Sequence, residues 1–390
     1  MKFPCVVSMG TYRPSPYEGL QTLFAEGKHL SDKERLTFSY GPLLSWYREN
    51  RRALPWRENK DAYRIWISEI MLQQTRVEAV KPYFFRFMEH FPTVEALANA
   101  PDEELLKCWE GLGYYSRARN LKKAAIVIME EHGGKLPASR EELLALPGIG
   151  SYTAGAIGSI AYEIPAPAVD GNVLRVLSRV MGSYDDILTQ STKKKMEDLV
   201  SQILRSGEAG DYNQALIEIG AIVCVPNGAP LCDKCPFHTV CAAREQGLID
   251  ELPVKTPKKK RRIEEKTVLL LRCGEKIAIR KRGPQGLLAS LYEFVNVPGN
   301  LEREDVESML NGTVSDVEVP DAKHIFSHVE WHMNGYLVQV DQVSNLQLDG
   351  DEPVIFVTYE ELKEKYPIPA AFVAYKRFLD QIYMENMEEN

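Results

Sequence analysis

The sequence predicts a mainly α-helical N-terminal domain followed by a smaller α/β domain. Three observations predict this. From Phe38 to Cys241 apolar residues recur at three- and four-residue spacing, the period of helices that bury one face. The stretch LPVKTPKKKRRIEEK, from Leu252, has two prolines and no apolar face, so it reads as a linker. Beyond it, TVLLLRCGEKIAIRKR reads as strand, a turn at Cys273-Gly274, and strand again. The boundaries that follow are 1–36 for an N-terminal extension, 37–247 for the helical domain, 248–265 for the linker and 266–390 for the α/β domain. A chain of 390 residues is long enough for two hydrophobic cores.

Taken in order, the extension lacks periodicity and carries Gly10, Pro14, Pro16, Gly19 and Gly27, which suits loose order. YRIWISEIMLQQTRVEAVKPYFFRFMEHF keeps helical spacing for several turns. Pro101, Pro137 and Pro147 punctuate short helices, with starts at Pro101-Asp-Glu-Glu and Ser139-Arg-Glu-Glu. A helix NQALIEIGAIV leads into the cysteines. In the second domain HIFSHVEWHMNGYLVQV reads as a hairpin turning at Asn334-Gly335, and PAAFVAYKRFLDQIY as a closing helix.

Composition excludes some functions. The chain is 44% hydrophobic and 26% charged, as in soluble globular proteins. No apolar run approaches the ~18 residues of a membrane span. MKFPCVVSMG is too short and too polar-flanked for a secretory signal, so a cytoplasmic protein is expected. The net charge of −8 argues against a purely electrostatic nucleic-acid binder. It is unevenly spread: −2 over residues 37–243, +4 over 244–262 and −11 over 263–390. Local patches on the first part can still meet nucleic acid, and the basic run Lys258 to Arg262 reads mainly as a solvated linker.

Four of seven cysteines cluster as Cys224, Cys232, Cys235 and Cys241, spaced C-x7-C-x2-C-x5-C. In a cytoplasmic protein that reads as metal ligation, by zinc or by a [4Fe–4S] cluster. LPGIGSYTA places Gly148 and Gly150 between two helices, the second starting near Ser151. Such a turn either joins two packed helices or offers free N–H groups to a phosphate. Twenty residues past Gly150, Asp170 sits in a frame stiffened by Pro165, Pro167 and Gly171. Glu69 lies in a helical stretch among Ile67, Ile70, Met71 and Leu72; periodicity alone favours a surface glutamate there, whereas burial would keep the carboxyl protonated near neutral pH.

LPGIGSYTA followed by VDGNV resembles the helix-hairpin-helix DNA glycosylase superfamily. SEIMLQQT at Ser68–Thr75, LPWR at Leu54–Arg57, WEGLGYYSRARNL at Trp109–Leu121 and VDGNVLRVLSR at Val169–Arg179 resemble its adenine DNA glycosylase family. Together these matches cover nearly all of residues 40–243. The resemblance implies a [4Fe–4S] cluster on the four cysteines, although the family's usual first spacer is six residues and VPNGAPL has seven. It implies Glu69 as the general acid and Asp170 as the carboxylate facing the sugar cation, with Tyr152 and Asn172 as partners of Asp170 or of the attacking water. Tyr152 stands where strand-cleaving lyases of the endonuclease III type have a lysine, so no Schiff base is available.

By the same resemblance Gln74 and Tyr114, with Thr75 beside them, wedge the duplex, whereas Tyr115 reads as core. Arg52, Leu54 and Trp56 are similar to residues lining an adenine pocket. GLLASLYEF resembles the family's Nudix-like C-terminal domain, with Tyr292 where tryptophan is frequent. LEREDVESMLNG does not supply the catalytic Nudix box, so this domain should bind and not hydrolyse. Phe326-Ser327-His328 matches the loop that reads 8-oxoguanine, whose N7–H a serine hydroxyl can accept. The expected partner is double-stranded DNA with an adenine:8-oxoguanine or adenine:guanine mispair, bound by a monomer, with no membrane. The runner-up is an endonuclease III-type glycosylase/lyase, and a catalytically silent iron–sulfur DNA-binding or redox-sensing protein is the reading from a different class.

Overall fold

The computed structural model of the chain describes residues 29–257, 260–310, 312–340 and 353–388. Cys5, most of the extension and Lys258-Lys259 of the basic run lie outside the described residues. The chain divides into two compact units: residues through Glu69 with Leu136–Thr256, and Ile70–Lys135 with Pro257–Asn390. The helical part is thus shared between them.

In the first unit, α1 spans Asp32–Asn50. It begins inside the stretch read as extension, because Ser31 and Glu34 form a reciprocal capping box that fixes its first turn. α2 (Ala62–Leu72) crosses from this unit into the second. The second unit continues with α3 (Val77–His90), α4 (Val94–Asn99), α5 (Asp102–Cys108) and α6 (Ser116–Glu131). The first resumes with α7 (Arg140–Ala145), α8 (Ser151–Tyr162), α9 (Gly171–Met181), α10 (Gln190–Ser201), α11 (Ala209–Ile222) and α12 (Ala242–Glu245). The helix starts read at Pro101 and Ser139 are the N-caps of α5 and α7.

The first unit's core joins Leu36, Leu43 and Tyr47 of α1 to Val173 and Leu177 of α9 and to Leu216 and Ile219 of α11. Tyr40 and Tyr212 stack at 4.6 Å within it. A Cβ at Gly220 would lie 2.6 Å from Asn172 Cβ, so glycine there lets α11 meet the start of α9.

In the second unit, seven described strands form one mixed sheet: β1 (Arg262–Cys273), β2 (Lys276–Lys281), β3 (Tyr292–Pro298), β4 (Thr313–Val314), β5 (Ala322–Ile325), β6 (Val329–Gln339) and β7 (Val354–Thr358). The order is β4-β6-β1-β3-β2-β7, with β5 paired to β6. β1 runs parallel to β6 from Arg262↔Val329 to Arg272↔Gln339, so the strand starts within the stretch read as linker. Val268–Leu271 is apolar without alternation because both sheet faces are covered. Val268 and Leu270 pack with Phe372, Tyr375 and Leu379 around the closing helix α15 (Val373–Glu388), which α14 (Tyr359–Glu364) precedes. Leu269 and Leu271 pack with Val306 and Leu310 of α13 (Arg303–Leu310).

The hairpin expected at Asn334-Gly335 turns instead at Phe326–His328, between β5 and β6. Asn334 lies mid-strand, its side chain bonded to Thr267 Oγ1 and Leu301 O. Gly335 faces the Tyr375 ring, where a Cβ would come within 2.6 Å. Close packing, and not a turn, requires that glycine.

Candidate active site

Glu69 sits in the C-terminal half of α2 and is 8% exposed, buried as the resemblance implied and not on the surface that helical periodicity alone favours. Tyr152, in the first turn of α8, donates its hydroxyl to Glu69 Oε2 at 2.6 Å. Burial pushes the Glu69 carboxyl up to about 7 against the Tyr152 hydrogen bond; the Asp170 charge adds to the rise and Arg57 opposes it. Tyr152 therefore partners Glu69, whereas the sequence reading had paired it with Asp170 or water.

Asp170 is the N-cap of α9. Its Oδ1 accepts from the backbone N–H of Asn172 at 2.9 Å and of Val173 at 2.8 Å, and its Oδ2 from Asn172 Nδ2 at 2.8 Å. Burial raises this carboxyl above its ordinary value, and the three donors oppose the rise. Donors that can only give hydrogen bonds favour the anion.

The frame around Asp170 is tertiary. Asn213 of α11, fully buried, accepts from Ala168 N–H at 3.1 Å and donates to Ala166 O at 2.8 Å, pinning the loop before Asp170. Arg175 bonds Asn172 Oδ1, Gly220 O and Cys224 O, which ties the Asp170 partner to the cysteine loop. In the glycine turn Gly148 has φ 77°, which favours glycine, and Gly150 caps α8 with open space where its Cβ would be. That leaves the N-terminus of α8 accessible to an anion.

Trp56 is buried within the short helix Pro55–Arg57, and Leu54, its N-cap, is buried too. Arg52 is engaged by Glu218, which accepts from Arg52 Nε at 2.7 Å and Arg57 Nη2 at 2.9 Å with no exposed side-chain surface. Burial raises the Glu218 carboxyl, but the two arginines overcome this and hold it down at about 2. Glu218 and Asn213 were missed in the sequence because α11 reads as a packing helix. A carboxylate and an amide on its otherwise apolar face were the available signal.

In the second unit, Gln74 (φ 59°) and Tyr114 (φ 46°) both take left-handed backbone, which costs a non-glycine residue about 1–3 kcal/mol. Thr75 completes the turn between α2 and α3, its N–H bonded to Leu72 O. Tyr114 is 50% exposed, whereas Tyr115 is buried as core. Tyr114 OH lies 3.4 Å from Ser327 Oγ, so those two predicted contacts meet. The Phe326–His328 turn is held by Phe326 N–H to Val329 O, Arg262 N–H to His328 O and Arg261 Nε to Phe326 O. Phe326 packs edge-on against Trp331 at 4.8 Å. Tyr292 packs on Tyr366 and donates its hydroxyl to Glu103.

Cys224, Cys232, Cys235 and Cys241 are free and line one cleft, with Arg179, Phe237 and His238. The seven-residue first spacer closes through Leu231 N–H to Val223 O, with a left-handed turn at Gly228. Arg179 Nη1 lies 3.3 Å from Cys224 Sγ. Burial pushes the Cys235 thiol up to about 12 and also raises those of Cys232 and Cys241. Among the described residues no group of His, Cys, Asp or Glu is set to close on a single metal ion. No described helix is long and apolar enough to cross a membrane.

A helical hairpin with a buried acid and a capping aspartate, joined to a mixed sheet, defines a class. Residues 67–202 match the HhH-GPD superfamily of base excision DNA repair proteins, and residues 267–377 match the NUDIX domain. The adenine DNA glycosylase of Rattus norvegicus is 32% identical, covering 92% of this chain and 83% of its own. That of Homo sapiens is 34% identical, covering 84% and 70%. That of Buchnera aphidicola subsp. Baizongia pistaciae is 34% identical, covering 78% and 87%. The chain belongs to the adenine DNA glycosylase family.

Proposed function

We propose that this protein removes adenine mispaired with 8-oxoguanine, or with guanine, from double-stranded DNA, acting as a monomer and using water as nucleophile. The observation that carries it is the Glu69 carboxyl, buried, with one hydrogen bond and a midpoint near 7. An acid so poised is half-protonated at working pH and can give its proton to N7 of the leaving adenine. Tyr152 keeps that carboxyl oriented. Asp170, with its donors from Asn172 and Val173, carries the negative charge that offsets the cation developing on deoxyribose. Water then attacks the sugar. With tyrosine at position 152 no amine is available there for β-elimination, so strand cleavage is absent.

Adenine must leave the stack first, at a cost of a few kcal/mol. Gln74 and Tyr114 fill the space left behind, Arg52, Leu54 and Trp56 line the base pocket, and Gly148 and Gly150 hold a phosphate. Ser327, between Phe326 and His328, accepts the N7–H of 8-oxoguanine. Cys224, Cys232, Cys235 and Cys241 would hold a [4Fe–4S] cluster, which supplies no step of the reaction and fixes the loop against DNA.

The test is single-turnover release of adenine opposite 8-oxoguanine and opposite thymine, with products split with and without alkali. Release only from the 8-oxoguanine pair, nicking only with alkali, and collapse in Glu69→Gln and Asp170→Asn are expected. Nicking without alkali would point to a lyase, and duplex binding without any release would leave a silent binding protein.

A further inference from the structure

Arg117, in the first turn of α6, is 8% exposed and faces no carboxylate among the described residues. Its two terminal nitrogens donate to backbone carbonyls alone. Nη1 donates to Ile70 O at 2.8 Å, Met71 O at 3.0 Å and Gln73 O at 2.7 Å. Nη2 donates to Leu112 O at 3.0 Å and Gly113 O at 3.1 Å. The first three carbonyls end α2 and lead into Gln74; the last two lead into Tyr114. The same cation lies 5.3 Å from the Trp109 ring and 5.7 Å from the Tyr114 ring. Trp109 Nε1 donates to Gly113 O in turn.

We propose that Arg117 is a positioning residue that joins the two loops into one rigid wedge, so that Gln74 and Tyr114 enter the duplex together. The inference rests on the proposed function insofar as those two side chains are the wedge. Both sit on strained left-handed backbone, and such backbone persists only where its surroundings over-determine it. A planar fork with two donor nitrogens, one facing each loop, supplies that constraint. An ammonium on a flexible stem has the charge without the fork. Among the described residues Arg117 Nε has no hydrogen-bond partner, so these carbonyls are the guanidinium's hydrogen-bond anchors.

The test uses the full chain with its cluster and the variant Arg117→Lys. One duplex carries adenine opposite 8-oxoguanine, with 2-aminopurine beside the 8-oxoguanine to report unstacking on binding. A second carries adenine opposite an abasic analogue, where no stacked partner has to be displaced. In Arg117→Lys the fluorescence rise is lost and adenine release from the first duplex falls about 100-fold, while release from the second, relative to wild type, stays within about threefold. The pH midpoint of release, set by Glu69, does not move. Equal losses on both duplexes, or a fluorescence rise as large as in wild type, would overturn the proposal. If Arg117→Lys does not fold, as judged by circular dichroism, Arg117→Gln, which keeps a planar amide donor, is read by the same criteria. Should wild type release no adenine at all, the proposed function fails, and the fluorescence arm still decides the role of Arg117.

Discussion

Glu69 in the first unit and the buried charges of the second are treated in opposite ways. In the first, Glu69 is left with one hydrogen-bond donor and a midpoint near neutrality. In the second, buried charges are multiply paired: Arg117 meets five carbonyls, and Glu293 has Arg280 at 2.9 Å and Arg282 at 2.5 Å. A group that must change protonation cannot be fully paired, because every added partner fixes one state. A group that holds shape must be, because an unpaired buried charge is costly. Glu218 applies the same rule inside the first unit: two arginines hold its carboxyl at about 2, so it organises Arg52 and Arg57 and does not titrate with Glu69.

The largest effect expected from breaking this contrast is on rate. Glu69→Gln should lower single-turnover adenine release by at least about 10³-fold while duplex affinity, by fluorescence anisotropy, stays within about threefold. The wild-type rate should fall as pH rises through about 7, because the protonated acid is the active form. Stability moves the other way. Glu69 has a folded value of about 7 against an ordinary 4.5, so it lowers stability as pH rises between those values. At pH 8 Glu69→Gln should therefore be more stable than wild type, by about 3 kcal/mol at most in urea unfolding, with the difference gone near pH 4. A variant that loses both rate and stability at pH 8 would break the comparison.

Glu218→Gln should behave as its mirror image. Removing the buried charge between two partly exposed guanidiniums should cost about 3 kcal/mol at pH 7. The wild-type advantage comes from a depressed carboxyl, so it is present above about 4.5 and lost as pH falls toward about 2. Urea midpoints of both proteins across that range measure it. The smallest effect belongs to the second unit. Ser327→Ala should leave the rate on adenine opposite guanine unchanged and reduce the preference for 8-oxoguanine about tenfold, the worth of one hydrogen bond. Equal loss on both pairs would mean that Ser327 supports Tyr114 and does not read the base.

Legibility differed by residue. Glu69 was singled out by the resemblance of SEIMLQQT, because periodicity alone reads a glutamate on a helix as a surface residue. Asp170 could be found because Pro and Gly stiffen its surroundings and it caps a helix two residues from its own partner. The Asn334-Gly335 turn failed for the opposite reason. Asn-Gly is a strong local turn signal, and here the demand for space beside Tyr375 overrode it.

By itself the sequence determined the two kinds of domain, the helix starts at Pro101 and Ser139, the positions of Glu69 and Asp170, and the cysteine set. Each of these is written in residues close along the chain, where periodicity, caps and spacing act. Only the tertiary structure decided that Tyr152 belongs to Glu69, that Asn213 pins the Asp170 loop, that Glu218 binds Arg52 and Arg57, and that Arg117 joins two loops. The partners in those contacts range from a few residues to more than 160 positions apart. At such separations only packing brings a donor to its acceptor, and burial then sets how much the bond is worth.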